Sequence, residues 1–390
     1  MEHLKSPCFI LDKKHFQESV RGFHKALNSC FKRSFIGYSV KTNSLPFLLK
    51  LAKNEGCWAE VVSYNEYNLA LLCGFEKSNI IYNGPMKSKE TFLDAILNGA
   101  VVNVETKREL EWLKDLPIDR SFGVGIRLNV NISHISPEDA QYDDSRFGFS
   151  ANNKEFDLAV SYINSLSNVS LTGIHIHRTS KTRSVDFYRR LVKYAVDIIE
   201  SYHLNLDYID IGGGYYGIFK DKPTFLDYAV VIAEELGEYF DLNKIMVFVE
   251  PGNAITASVF SYLSSVIDVK EVGDKFFITT DGTRNDIDPL FQKKDYLKEL
   301  IYQNDNMSVV DKQIITGCTC LEFDRLFELN NEKLLSVGDY IKYNNVGAYT
   351  MCLSPLFIRY IPKVYMEEDG LYLIIRDEWT EYEFIGKSKL

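Results

Sequence analysis

The sequence predicts an α/β plus β architecture: a (β/α)8 barrel carrying a C-terminal β-barrel or sandwich domain. Three observations predict it. Short apolar, β-branched runs alternate with helical segments over the first two-thirds of the chain, the runs number eight, and after Glu250 the alternation gives way to strands separated by turns. Such alternation implies parallel βα units, and eight units in roughly 215 residues are what closing a barrel requires. An open doubly wound sheet is the alternative; the number of units favours closure.

In chain order, PCFILD (7–12) reads as an N-terminal strand able to join the β domain. The barrel runs follow: FIGYSV (35–40), CWAEVV (57–62), NIIYNG (79–84), AVVNVE (100–105), VGIRLNV (124–130), LTGIHIH (171–177), YIDIG (208–212) and MVFVE (246–250). Helical periodicity separates most of them, as in LPFLLKLAKNEG, SKETFLDAILNG and VDFYRRLVKYAVDIIESY. Beyond residue 250, VFSYLSSVIDVKEV, DKFFITTDG, DKQIITG, DYIKYNN and GLYLIIRDEW read as strands. The barrel is therefore expected over residues 14–252, and the β domain over 1–13 with 253–390.

Composition bounds the function. A chain of 390 residues, 46% hydrophobic and 25% charged, can bury a large core and is not a disordered segment. Its 44 basic against 54 acidic residues argue against a nucleic-acid binder, which normally shows a basic surplus. No apolar run approaches the ~18 residues needed to cross a bilayer, and the N-terminus lacks the pattern of a secretory signal. Seven scattered cysteines fit reduced thiols better than a disulfide framework. Cys318 and Cys320 are the only close pair and have no histidine nearby, so no metal site is expected. A cytoplasmic protein, bound to neither membrane nor nucleic acid, is the expectation.

The predicted strands end in Lys41, Glu60, Asn83 with Gly84, Glu105, Arg127, His177, the run Gly212-Gly213-Gly214, and Glu250. In a barrel these ends meet on one rim, where loops build active sites. Core packing does not account for polar residues or glycine ending every strand. Three successive glycines let main-chain N–H groups approach an anion such as phosphate; a tight strand-to-helix turn is the other reading. A rim lysine beside a phosphate site can form a Schiff base with an aldehyde. Phosphate plus aldehyde points to pyridoxal 5′-phosphate. That cofactor needs an acid near its pyridine nitrogen, for which Glu250 is placed, and a flat side chain on its ring, for which His177 is placed.

At these residues the chain resembles the fold type III pyridoxal-phosphate decarboxylases, the group of diaminopimelate, ornithine and arginine decarboxylases. YSVKTN is similar to the family's Y-x-V-K-x-N, which implies Lys41 as the Schiff-base lysine. WAEVVS implies Glu60 behind the cofactor, and IRLNVN implies Arg127 near its phenolic oxygen. SRFGF (145–149) is another family signature. HIHRTS resembles H-x-H-x-G-S, implying His177 as the ring-stacking residue and Ser180 as a phosphate ligand. The glycine run and Tyr349 of GAYT are further implied phosphate contacts, and EPGN carries Glu250. GCTC resembles the G-P-x-C segment and implies Cys320 as the proton donor to the substrate's α-carbon. The resemblance also implies a homodimer, with Cys320 acting in the partner subunit's site.

Departures from the pattern concern the phosphate loop and the substrate. Asn253 stands where the family usually has arginine, and Arg178 with Thr179 alter the loop before Ser180. Asp288 precedes Pro289 where diaminopimelate decarboxylases carry a carboxylate-clamping arginine, and Leu321 with Glu322 follows Cys320 where they place a glutamate at once. Asp288 and Glu322 are thus expected at the substrate's distal end, where Asp288 should reject an anion, and Arg284, Arg178 or Arg146 offer a rebuilt anion site. The expected reaction is decarboxylation of an amino acid or an amino-acid-containing substrate, to an amine and carbon dioxide, in a specialised biosynthetic pathway. The alternatives are an amino-acid racemase on the same barrel and a non-catalytic cofactor-binding relative.

Overall fold

In the computed structural model the described residues are 4–139, 145–303 and 308–389. They form two compact units, one of residues 18–255 and one of the N-terminal 17 residues with 256–390.

The first unit is a closed parallel barrel. After β1 (Cys8–Asp12), which belongs to the other unit, come β2 (Ser34–Ser39), β3 (Trp58–Ser63), β4 (Ile80–Met86), β5 (Val101–Val104), β6 (Phe122–Asn129), β7 (Phe149–Ser150), β8 (Val169–Ile176), β9 (Tyr208–Asp210) and β10 (Met246–Val249). All eight predicted runs are strands. They pair in the order β2-β3-β4-β5-β6-β8-β9-β10, and β10 pairs with β2, which closes the ring. The two-residue β7 sits beside β6 as an extra piece that the sequence did not announce. Helices fill the intervals, for example Lys89–Leu97 and Val185–Ser201, each begun by a serine (Ser88, Ser184) whose hydroxyl accepts an N–H of the first turn.

A period of two along each strand sorts the interior into layers. At the N-terminal end Phe35, Trp58, Ile81 and Phe248 pack together with Tyr208. Ile81, Tyr208 and Phe248 are buried and Phe35 and Trp58 partly so; full burial of such a side chain contributes about 1.5–3 kcal/mol. Tyr208 reaches across the middle, where side chains at Gly125 and Gly173 would fall 2.0 Å from its ring or hydroxyl. Two residues further along the same strands the inward positions turn polar: Glu60, Asn83, Glu105, Arg127, His175, Asp210 and Glu250, all buried. The barrel is thus dry at one end and charged at the other.

The second unit is mostly β. It contains β1, β11 (Phe260–Val272), β12 (Lys275–Thr280), β13 (Lys298–Ile301), β14 (Val309–Thr316), β15 (Arg325–Lys333), β16 (Tyr340–Asn344), β17 (Lys363–Glu368) and β18 (Leu371–Arg376). One path runs β15-β14-β12-β11-β1-β17-β18, with β16 on β11 and β13 on β16. The N-terminal strand joins this sheet, antiparallel to β11 and parallel to β17. Three strands escaped the pattern reading. β15 (RLFELNNEK) is polar over most of its length and largely exposed, β13 has four residues, and β17 ends in two glutamates. Among the described residues no helix is long and apolar enough to cross a membrane.

Candidate active site at the barrel mouth

Lys41 lies just past the end of β2, in a single 3-10 turn over Val40–Thr42. Its Nζ is 2.6 Å from Glu60 Oε2 and 2.8 Å from Ser39 Oγ, and the Ser39 hydroxyl donates to the same carboxylate oxygen at 2.7 Å. The turn is packed from behind by Gly252, where a Cβ would lie 2.1 Å from Thr42 Oγ1. The other oxygen of Glu60 accepts from Asn83 Nδ2 at 3.2 Å, and the same amide nitrogen donates to Glu250 Oε1. Asn103 donates to Asn83 Oδ1 at 2.9 Å and accepts from the Tyr208 hydroxyl at 2.8 Å. Lys41, Glu60 and Glu250 therefore belong to one connected network anchored in the barrel interior.

Glu250 has two further neighbours. His175 Nε2 is 3.5 Å from Glu250 Oε2, and donor atoms of His175, Asp210 and Glu250 all lie within 4.8 Å of one another. Asp210 also accepts the N–H of Gly212 at 2.9 Å. Burial opposes charge on both carboxyls, and the pair resolves it by division. Burial and the Glu250 charge push Asp210 far above the usual carboxylate range. Glu250, buried as well, is held below that range by His175, Lys41 and Asp210. The two shifts run in opposite directions, Asp210 towards the protonated form and Glu250 towards the ionised one.

His177 follows β8, two residues from His175 and so on the same side of the chain. Its Nδ1 accepts the N–H of Gly213 at 3.1 Å. Burial, then the charges of Arg127 and Lys41, lower it to about 3, so the ring is neutral at physiological pH. Arg127 pairs with Glu105 at 3.0 Å and lies 4.7 Å from the Phe147 ring. Burial works against the Glu105 carboxylate, but Arg127 and Lys87 keep it below the ordinary range. Arg146 is exposed, its guanidinium 4.4 Å from the centre of the same Phe147 ring.

The glycine run forms a close-packed turn. Gly212 and Gly214 have φ of 68° and 101°, in the region that L side chains avoid. A Cβ on Gly212 would meet His177 at 2.7 Å, and one on Gly213 would meet the Glu250 carbonyl oxygen at 2.3 Å. The Tyr188 hydroxyl donates to Gly213 O at 2.8 Å. Among the described residues no acceptor takes the N–H of Gly214 or Tyr215. Open N–H groups in a turn without side chains are an anion cradle. Together with an amine already paired to a carboxylate, a neutral imidazole and a deep carboxylate, they fit pyridoxal phosphate.

Ser180 departs from its expected place. Its hydroxyl donates to Asp139 Oδ1 at 2.6 Å, alongside the hydroxyl and N–H of Thr182. Burial alone would raise Asp139, yet these bonds keep it ionised. The remaining predicted residues lie in the second unit. Asp288 is buried and takes both Nε and Nη2 of Arg284, at 3.0 and 2.8 Å, together with the N–H groups of Gln292 and Lys293. In this structure Asp288 and Arg284 are held by each other and by their own loop, where a substrate role was expected of them. Cys320 and Glu322 are exposed on the turn after β14, and Tyr349 is half-exposed with φ of 54°.

Sequence reasoning missed His175, Asp210, Asn103 and Tyr188. The first two were within reach, each spaced by two from a residue that was singled out.

The sequence matches the family model "Pyridoxal-dependent decarboxylase, pyridoxal binding domain" over residues 15–257. It is 28% identical to a probable chloroplastic diaminopimelate decarboxylase of Oryza sativa subsp. japonica, over 95% of this chain and 77% of that one. It is 26% identical to the diaminopimelate decarboxylase of Aquifex aeolicus, over 99% and 92%. The fold is shared with the crystal structure of diaminopimelate decarboxylase from M. jannaschii in complex with L-lysine, at a TM-score of 0.84, 21% identity, and coverage of 100% and 93%. With a barrel whose polar rim suits the cofactor and a family match over most of that barrel, the chain belongs to the pyridoxal-dependent decarboxylases.

Proposed function

We propose that this decarboxylase acts as a cytoplasmic homodimer on an α-amino acid whose distal group is not held by Asp288, and that the residues of the barrel mouth divide the chemistry among them. The observation that carries the reading is the network joining Lys41, Glu60, Asn83 and Glu250. Bound there, pyridoxal phosphate supplies the electron sink that accepts the pair released when the α-carboxylate leaves as carbon dioxide.

The chain's own part is to hold and to protonate. Lys41 would hold the cofactor through its ε-amine, with Glu60 as the acceptor for the ammonium whenever that amine is displaced. Glu250, kept anionic by its neighbours, would hold the proton of the ring nitrogen. Neutral His177 adds no competing positive charge beside the ring. The Gly214 and Tyr215 N–H groups would take the phosphate.

After the C–C bond breaks, the α-carbon needs a proton. Cys320, exposed on its loop, is proposed to deliver it in the site of a second copy, with Tyr349 as a further contact there. Free thiols suit a reducing compartment, and among the described residues no disulfide joins any of the cysteines.

Substrate recognition is assigned to Glu322 and Arg146, both exposed, rather than to the self-paired Arg284 and Asp288. The test is carbon dioxide release from pooled amino acids incubated with the protein and pyridoxal phosphate. The pools contain both enantiomers, diaminopimelate, ornithine, lysine, arginine, and acidic or N-substituted derivatives. Release from one pool supports the reading and names the distal group. Racemisation of any member without carbon dioxide release would overturn it.

A further inference from the structure

We propose that Arg183 supplies the positive charge that balances the cofactor's phosphate, with Asn253 orienting its guanidinium. The inference rests on reading the glycine run as the phosphate cradle and adds the charge that such a cradle lacks. A phosphate monoester carries about −1.5 to −2 at neutral pH, whereas backbone N–H groups offer only dipoles.

The cations near the barrel mouth are not equivalent. Lys41 is paired with Glu60 and Arg127 with Glu105. The hydroxyl of Ser180 belongs to Asp139, an anion that would repel a phosphate. Arg183 has no carboxylate partner among the described residues. Its two terminal nitrogens lie 3.3 and 3.2 Å from the side-chain oxygen of Asn253, with the amide turned so that this oxygen faces the guanidinium. The guanidinium also covers Tyr216, 5.4 Å from the ring centre, and Lys222 Nζ is 5.0 Å from the same ring. Two cations thus gather on one ring.

This cluster adjoins the glycine turn. Tyr216 follows Gly214 by two residues, Tyr188 holds the Gly213 carbonyl, and the charge of Arg183 acts on the phenols of Tyr188 and Tyr228. The chain also accepts strain to place it. Arg183 has φ of 49°, a left-handed conformation that non-glycine residues seldom adopt. It is pinned on both sides: its N–H donates to Ser180 Oγ at 2.9 Å and its carbonyl accepts from the Tyr228 hydroxyl at 2.7 Å. Strain held in this way marks a position whose side chain is wanted where it points. Asn253 contributes a neutral acceptor, which directs the guanidinium without cancelling its charge.

The test titrates apoenzyme with pyridoxal phosphate and, separately, with pyridoxal, following cofactor absorbance. Arg183→Gln should raise the Kd for pyridoxal phosphate by about 10–100-fold, on the scale of a charge-assisted hydrogen bond. It should change the Kd for pyridoxal less than about twofold. Asn253→Asp, which sets a carboxylate on the guanidinium, should weaken pyridoxal phosphate in the same selective way, and it decides the matter if Arg183→Gln does not fold. Unchanged affinity for pyridoxal phosphate, or equal losses for both aldehydes, would overturn the assignment. If the unsubstituted protein binds both aldehydes equally well, the cradle itself is misread. If it prefers the phosphate form and Arg183→Gln keeps that preference, only the role of Arg183 fails.

Discussion

At the barrel mouth Lys41, Glu60, Asn83 and Glu250 are joined in one buried network, whereas in the β unit Arg284 and Asp288 are turned on each other and Cys320 and Glu322 stand exposed on a turn. The two units therefore use polar residues differently. In the barrel, buried charges are held by neighbours that leave a cofactor-shaped demand unmet: an anion cradle with open N–H groups and a carboxylate kept ionised beside a neutral imidazole. In the β unit, the one strongly paired arginine among the predicted site residues is spent on its own loop, and the Cys320 thiol is exposed. The contrast teaches that the buried polar network is confined to one unit; on the proposed reading, the proton donor comes from the other kind of surface, exposed and unsupported.

The sharpest way to break this comparison is Glu250→Gln. If the network exists to keep an anion at the ring nitrogen, kcat should fall by about 10²–10⁴-fold while the cofactor stays bound, the range lost when a positioned acid or base is removed. Absorbance of the bound cofactor and kcat together check it. A loss below tenfold would make the network mere scaffolding.

The β unit offers the converse. Asp288→Ala should cost about 3 kcal/mol of stability, because it strands the largely buried Arg284. It should leave the ratio of kcat/KM between competing substrates unaltered. Melting and competition assays separate the two effects. A stable variant with switched preference would return Asp288 to substrate recognition.

A smaller effect sharpens the barrel side. Burial pushes Glu66 up to about 7, against the Val62 N–H and with the charge of Glu60. Between its ordinary value of 4.5 and about 7 the native state binds more protons than the unfolded chain, so stability falls as pH rises. This contribution is complete below 4.5 and gone above about 7. After discounting for solvent screening it amounts to about 1–2 kcal/mol. The Tm of the protein relative to Glu66→Gln should drop between pH 5 and pH 8; a constant difference would contradict the assignment.

Much of the barrel was legible because its signals are local. Each strand is a β-branched run, and the polar residues that end the strands stand at fixed spacing from apolar ones, as Phe248 does from Glu250 and Trp58 from Glu60. The glycine run announced itself because three glycines are costly to keep without cause. Strands β13, β15 and β17 were not legible: β13 is short, β15 is mostly polar, and β17 has only three apolar residues between a lysine and two glutamates. Nor was the fate of Ser180, whose partner Asp139 lies 41 residues earlier and meets it only in the fold. The pairing of Arg284 with Asp288 did leave a signal, a basic and an acidic residue four apart. It was passed over in favour of a substrate role. The division of one proton between Asp210 and Glu250 depends on burial, which sequence does not carry.

The central claim, that the barrel of one copy and the thiol of another complete a single site, is tested most directly by mixing two inactive variants. Lys41→Ala should lack the absorbance of lysine-bound cofactor and all turnover. Cys320→Ala should keep that absorbance and lose normal product. After unfolding and refolding together, random pairing gives half mixed dimers with one intact site each, so activity should return to about a quarter of the unsubstituted level. Recovery no greater than the sum of the two variants alone would contradict the account.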